Sequence, residues 1–95
     1  MKSGFNKKVD HLLRKNGMRN GIGWVSFHSP RLRDYLLEQG YALGNSFPNY
    51  RVDWFYLSKK DWKLIPDALK MLMDGGMIVV SLGEGKLNEL RKVVK

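Results

Sequence analysis

Apolar residues near the start of the chain recur at the spacing of an amphipathic helix. Four of them fall at i, i+4, i+7 and i+8, which places them on one helical face: Phe5, Val9, Leu12 and Leu13. The pattern ends at Gly17, because glycine readily adopts the backbone conformation that follows a helix C-terminus. The spacing predicts a helix over residues 4–16, followed by a glycine-rich connector over residues 17–23.

Shorter elements follow, each bounded by residues that favour turns. The pattern predicts a strand over residues 24–28 and a helix over residues 30–39. The helix begins with the Ser29 hydroxyl at its N-cap and a proline in its first turn, where the missing N–H removes no hydrogen bond. Gly40 ends this helix, and a short strand is predicted over residues 41–43.

The strand predicted over residues 51–57 is rich in aromatic residues. Successive side chains of a strand point to opposite faces, so Trp54 and Tyr56 share one face while Phe55 and Leu57 share the other. Two interpretations stay open. Either both faces are buried in the core, or Trp54 and Tyr56 form a platform on which unpaired nucleic-acid bases stack.

The last part of the chain contains the clearest strand pattern. Ser58 followed by Asp61 resembles a capping box and predicts a helix start, and Pro66 is expected to kink or divide that helix. The apolar run over residues 77–82 predicts a strand buried on both faces. A final helix is predicted from the spacing of three apolar residues, Leu87, Leu90 and Val94.

These elements give the order αβαββαβα. The sequence therefore predicts one small α+β domain over residues 1–95, in which helices pack on a mixed or antiparallel sheet of three to four strands. The chain has no cysteine, which excludes disulfides and zinc ribbons as sources of stability. No apolar run is long enough for a bilayer and no signal segment is evident, so we expect a cytoplasmic protein without a membrane partner.

Charge is the feature that bears most directly on function. The chain holds 17 basic and 9 acidic residues, a formal net charge of +8, and most of the excess lies in the first third. In residues 1–33, Asp10 is the only acid, whereas residues 34–95 are nearly neutral. A one-sided excess of this kind is typical of surfaces that attract polyanions, although a solvated helix face has the same composition.

Seven basic residues are the candidate phosphate contacts of a small nucleic-acid-binding protein: Lys7, Lys8, Arg14, Lys15, Arg19, Arg31 and Arg33. Two of them lie in the first turn of a predicted helix, where cations oppose the helix dipole and an anionic ligand such as phosphate would offset the cost. The alternative function is a protein-binding regulator or inhibitor, of the size of a phage or mobile-element accessory protein, that docks on an acidic partner through the same charges.

Sequence motifs for catalysis, cofactors and metals are weak. The turn around Gly83 and Gly85 lacks the spacing and the hydroxyl of a phosphate-binding loop. The two histidines, His11 and His28, are too far apart in sequence to suggest a paired metal site. Five residues could act together with a histidine in catalysis, but their spacing in the sequence is not that of a catalytic motif: Ser26, Ser29, Asp34, Glu38 and Asp53. We therefore expect no enzymatic activity, no cofactor and no metal.

Overall fold

The computed structural model describes the backbone of residues 2–92 and the side chains of residues 4–92. Three α-helices are present in this part of the chain: α1 (Lys2–Lys15), α2 (Pro30–Glu38) and α3 (Ile65–Lys70). A 3₁₀ helix (Lys59–Leu64) precedes α3 directly. Five strands complete the fold: β1 (Ile22–Val25), β2 (Ala42–Leu43), β3 (Val52–Leu57), β4 (Leu72–Gly83) and β5 (Lys86–Arg91).

The five strands form one mixed sheet in the order β2-β1-β3-β4-β5. The neighbours among β1 to β4 are parallel, and β5 is antiparallel to β4. From β1 the chain passes through α2 to β2 on one side, and then crosses to β3 on the other side of β1. The strand order thus reverses between β1 and β3, and in open parallel sheets this reversal is where a crevice forms at the carboxyl ends of the strands.

Helices cover the sheet on both faces. On one face, α1 and α2 pack over a core that includes Val25, Trp54 and Met77. On the other face, the 3₁₀ helix and α3 pack over a second core that includes Phe55 and Ile78. This arrangement confirms the interpretation in which both faces of the aromatic strand are buried, because β3 is central in the sheet and each face meets its own layer.

The mixed sheet and the small α+β architecture were predicted correctly, but the number of strands was not. The glycine-rich connector is also shorter than predicted, because β1 begins at Ile22 and includes Gly23. The largest error concerns the predicted last helix. Residues 86–91 form β5, and the turn before it has positive φ at three successive residues, Gly83, Glu84 and Gly85.

The spacing of Leu87 and Leu90 explains this error. Residues three apart share a helical face, but in a strand they point to opposite faces of the sheet. Leu87 packs against the core beneath α1, and Leu90 packs against the core beneath α3. Pairing with the long strand β4 also satisfies backbone groups that β4 would otherwise expose at a sheet edge. Val94, the third residue of the predicted helix, lies outside the described residues.

None of the described helices is long and apolar enough to span a membrane.

Candidate functional site

A cluster of polar side chains lies at the carboxyl ends of β1 and β3, where the strand order reverses. Ser26 and His28 come directly after β1, and Ser58 comes directly after β3. Asp61 lies in the first turn of the 3₁₀ helix that follows. The parallel pairing of β1 with β3 brings these residues together, because the backbone N–H of Ser26 donates to the carbonyl of Tyr56 at 2.9 Å.

One carboxylate oxygen organises this cluster. Asp61 Oδ2 accepts hydrogen bonds from the Ser26 hydroxyl and, at 3.1 Å, from the Ser58 hydroxyl. His28 Nδ1 lies 3.1 Å from the same oxygen, and the His28 backbone N–H donates to Ser26 Oγ at 3.2 Å. Asp61 is 7% exposed and Ser26 is fully buried, whereas half of the His28 side chain remains exposed. The carboxylate therefore fixes the histidine ring at the rim of the cluster.

The environment of Asp61 favours its ionised form. Burial alone would raise the pKa of this carboxyl group, but the hydrogen bonds from Ser26, His28 and Ser58 outweigh burial and lower the pKa below its usual value. Asp61 is therefore a carboxylate at neutral pH, and three donors satisfy it. Buried carboxylates with this many partners stabilise the loops that supply the donors.

We expect the contribution of Asp61 to stability to be lost in acid. A lowered pKa in the folded state means that the stabilisation is present above the usual carboxyl pKa of about 4 and disappears as the pH falls through the folded value. Asp61→Asn should lower the free energy of unfolding at pH 7 by about 1–3 kcal/mol, because the amide accepts fewer of these bonds. Urea unfolding at pH 7 and pH 3 measures both effects.

Asp34→Asn, which removes an exposed carboxylate, is the matched control for that experiment. It should leave stability within about 0.5 kcal/mol of the unsubstituted protein. The difference between the Asp61→Asn variant and the unsubstituted protein should shrink at pH 3. A difference that is the same at both pH values would contradict the role of the carboxylate charge.

The cluster does not have the connectivity of a serine nucleophile activated by a histidine. Ser26 and His28 Nδ1 both bind Asp61 Oδ2, so the serine hydroxyl donates to the carboxylate and not to the imidazole. Activation of a hydroxyl needs the histidine as its direct proton acceptor. What the geometry does provide is an imidazole with one nitrogen fixed against a carboxylate, which leaves Nε2 as the nitrogen for a ligand.

A cavity of about 630 Å³ adjoins this cluster and is bounded by α1, α2 and the ends of β3 and β4. Apolar side chains from three elements contribute to its wall: Phe5, Leu32 and Tyr56. The polar side chains that line it include His28, Ser29, Arg31 and Ser81. Burial raises the pKa of the Tyr56 hydroxyl, while hydrogen bonds with Ser81 and Ser29 act in the opposite direction. The cavity thus combines an apolar wall with several hydrogen-bonding groups.

Four of the seven predicted phosphate contacts lie together on α1. Their side chains are all exposed on the surface of the helix: Lys7, Lys8, Arg14 and Lys15. Asp10, the only acid of this helix, is 8% exposed and turns toward the core. We call the four cations together with His11 the basic face of α1. Among the described residues, no acidic side chain of α1 belongs to this face.

Asp10 is held by two partners. Arg14 Nε donates to Asp10 Oδ1 at 2.8 Å, and the Tyr41 hydroxyl donates to the same oxygen at 2.5 Å. Burial, followed by the hydrogen bond to Asp10, raises the pKa of Tyr41, so the phenol remains protonated. The pKa of Arg14 is also raised, chiefly by its hydrogen bond to Asp10. This cluster ties α1 to the start of β2 and neutralises the one negative charge of the helix.

The other predicted contacts do not join the basic face of α1. Arg19 stacks on the Tyr41 ring, with its guanidinium carbon 5.2 Å from the ring centre. Arg33 donates to the carbonyl of Gly44 at 2.7 Å and is partly buried. Arg31 is exposed and lines the cavity next to the polar cluster. The seven residues are therefore divided among a helix face, two structural contacts and the wall of a cavity.

A shallow groove runs between α1 and β5, next to the basic face. It has a volume of about 360 Å³, and Lys8, His11 and Lys15 line its α1 side. Glu89 and Asn88 line its β5 side. Lys8 Nζ also donates to the carbonyl of Gly85 at 2.8 Å, which anchors the helix to the turn before β5. Lys7 and Lys15 make no hydrogen bond or ion pair with any described residue.

The two predicted stacking residues are not available to bases. Trp54 is fully buried and Tyr56 is 3% exposed, because α1 and α2 cover this face of β3. Trp54 packs edge-on against Tyr41, and Tyr56 packs edge-on against Phe5. The stacking hypothesis for these two residues is therefore wrong for the folded protein, since neither ring presents a face to solvent.

The role of Asp61 in this cluster was not predicted from the sequence. The local pattern of Asp61 indicates helix capping, and Ser26 and His28 are only possible catalytic residues without a diagnostic spacing. Only the parallel pairing of β1 with β3 shows that the three residues meet. The remaining possible companions, Asp34, Glu38 and Asp53, do not join the cluster. Among the described residues, no group of three histidine, cysteine or acidic side chains could hold a metal ion.

Comparisons with known protein families, with curated proteins and with solved structures found no match for this chain.

Proposed function

We propose that this protein binds nucleic acid, with the basic face of α1 placed along the phosphate backbone. The observation that carries this proposal is the segregation of charge on one helix. Every charged side chain exposed on α1 is a cation, while Asp10 is buried and paired with Arg14. Among the described residues, Lys7, Lys8 and Lys15 form no ion pair, so these cations remain available to phosphates.

The dimensions of α1 suit this role. Its 14 residues extend over about 21 Å at 1.5 Å per residue. One strand of a duplex carries a phosphate for about every 3.4 Å of axis, so the helix can lie beside roughly six phosphates. Lys7 and Arg14 are two turns apart on the helix, a distance of about 10.5 Å, and can contact phosphates that are about three positions apart. Lys8 and Lys15 flank them at the same spacing.

The partner is a polyanion, and the interaction is expected to be largely independent of sequence. Lysine and arginine contacts to phosphates position a protein on nucleic acid, whereas sequence is read through contacts to the bases. The basic face of α1 has no phenylalanine, tyrosine or tryptophan side chain with which to stack bases. Release of counterions from the phosphates then supplies most of the affinity.

Fluorescence anisotropy of labelled single-stranded RNA, single-stranded DNA and duplex DNA tests this proposal. If about four cations contact phosphates, the affinity should fall about 50- to 150-fold between 50 mM and 200 mM salt. The preferred probe would identify the class of nucleic acid. Absence of binding to all three probes at 50 mM salt would contradict the proposal.

Docking on an acidic protein is the second candidate function, and a different surface favours it. Phe27 is 61% exposed and packs edge-on against Trp24, and Tyr50 nearby is 48% exposed. Trp24, on which Phe27 packs, belongs to the core on the sheet face that the 3₁₀ helix and α3 cover. Exposed lysines of the 3₁₀ helix, Lys59, Lys60 and Lys63, lie on the same face. Aromatic anchors with a basic rim are typical of protein-binding surfaces for acidic partners.

A further inference from the structure

We propose that the cavity beside the polar cluster binds a small organic phosphate of mononucleotide size. This inference does not depend on the proposed binding of nucleic acid by α1. It concerns a different set of residues, at the carboxyl ends of the strands.

The position and the size of the cavity both favour a ligand. It lies where the strand order reverses between β1 and β3, and the chain leaves these two strands toward opposite faces of the sheet. In open parallel sheets this is the crevice in which ligands bind. Its volume of about 630 Å³ falls within the range of about 300–1,000 Å³ that is usual for small-molecule sites.

The polar part of the cavity wall is rich in hydrogen-bond donors. Arg31 is exposed and lines the wall, and among the described residues it forms no ion pair. His28 lines the same wall, with its Nδ1 held by Asp61 and its other nitrogen left for a ligand. Ser29 and Asn6 add a hydroxyl and an amide. A phosphate group has three oxygens that accept hydrogen bonds, and arginine with histidine is a combination that matches it.

The contact with Asp61 holds the His28 ring in one position in the cavity wall. A half-exposed histidine would otherwise adopt several orientations, but the bond to a buried carboxylate fixes the ring, and in the imidazolium form Nε2 can donate to a phosphate oxygen. The carboxylate itself is 7% exposed and its Oδ2 is occupied by three donors. Its negative charge therefore lies behind the imidazole, and the imidazole lines the cavity.

The apolar part of the wall selects for an organic body attached to the phosphate. Phe5, Pro30 and Leu32 line this part, and Tyr56 lies at its base. A free phosphate ion would satisfy the donors but would leave this apolar surface in contact with water. A planar heterocycle of the size of adenine would bury it, and burial of apolar area is favourable.

Titration of the ¹⁵N-labelled protein with AMP, inorganic phosphate and adenosine tests this inference. We expect saturable shifts of amide signals in residues 26–32, 56–61 and 81–85 with AMP. Phosphate should shift the same signals with lower affinity, and adenosine should bind at least tenfold more weakly than AMP because it lacks the charge. Absence of saturable shifts with AMP would overturn the proposal. So would shifts confined to the basic face of α1.

Two substitutions and two matched controls locate the site. His28→Ala and Arg31→Gln should each weaken AMP binding about tenfold, whereas His11→Ala and Lys60→Gln should leave it unchanged. The amide spectrum of each free variant shows whether its fold is preserved. Equal losses in all four variants would mean attraction by net charge alone and would overturn the proposal. Oligonucleotide binding should be unaffected by His28→Ala, so failure of this inference is distinguishable from failure of the proposed function.

Discussion

Substitution of Gly23 by alanine should lower the free energy of unfolding by an amount near the upper end of the range of about 1–3 kcal/mol that is usual for an overpacked core, or should prevent folding. Gly23 lies in β1 opposite Trp54 of β3, and the indole ring crosses the position that a Cβ of residue 23 would occupy. Trp54 is fully buried and packs against Tyr41, so the ring has no solvent-exposed position to which it can move. Urea unfolding measures the loss.

Gly4→Ala is the control for the Gly23→Ala substitution, because no atom lies within 4 Å of the added methyl group. That variant should be as stable as the unsubstituted protein or slightly more stable, since alanine favours helix. The double variant Gly23→Ala with Trp54→Leu should be less destabilised than the sum of the two single variants, because the smaller side chain makes room for the methyl group. Additive losses would contradict the direct contact between these positions.

Reversal of two charges on the basic face of α1 should weaken nucleic-acid binding about 100-fold at 50 mM salt. Lys7→Glu with Lys15→Glu changes two exposed cations that form no hydrogen bond or ion pair among the described residues. Each phosphate contact contributes roughly a tenfold gain in affinity at this salt concentration, and the slope of affinity against salt should fall by about two. Anisotropy with the preferred probe measures both quantities.

The control for the charge reversal is Lys60→Glu with Lys63→Glu, in the 3₁₀ helix on the opposite face of the sheet. Both double variants have the same net charge, so any effect of overall charge is equal in the two. We expect the control to lose less than fivefold in affinity. If both variants lose affinity equally, the interaction depends on net charge and not on the basic face of α1.

Local patterns were sufficient to predict the parts of the fold that depend on a single element. The amphipathic spacing from Phe5 to Leu13 located α1, and the alternation in β3 indicated that both of its faces are apolar. The position of Lys7 and Lys15 on the outer side of α1 follows from the same spacing. These features need no knowledge of the neighbouring strands, because the period of the element alone determines which residues share a face.

Features that depend on contacts between distant residues could not be predicted in this way. The spacing of Leu87 and Leu90 fits a helix face as well as the two faces of a strand, and pairing with β4 decides between them. Asp61 has the local pattern of a capping residue, but the loop after β1 supplies two of its three donors. The contacts of Arg19 and Arg33 could not be predicted either, because Arg19 stacks on the Tyr41 ring and Arg33 donates to the carbonyl of Gly44.

The most direct test of the central claim is a map of the oligonucleotide contact on the protein. Addition of the preferred oligonucleotide to the ¹⁵N-labelled protein should shift the amide and side-chain signals of residues 7–15, together with signals of the groove between α1 and β5. Signals of the 3₁₀ helix and α3 should change little. Shifts centred on the 3₁₀ helix and α3 would contradict the assignment of nucleic-acid binding to the basic face of α1.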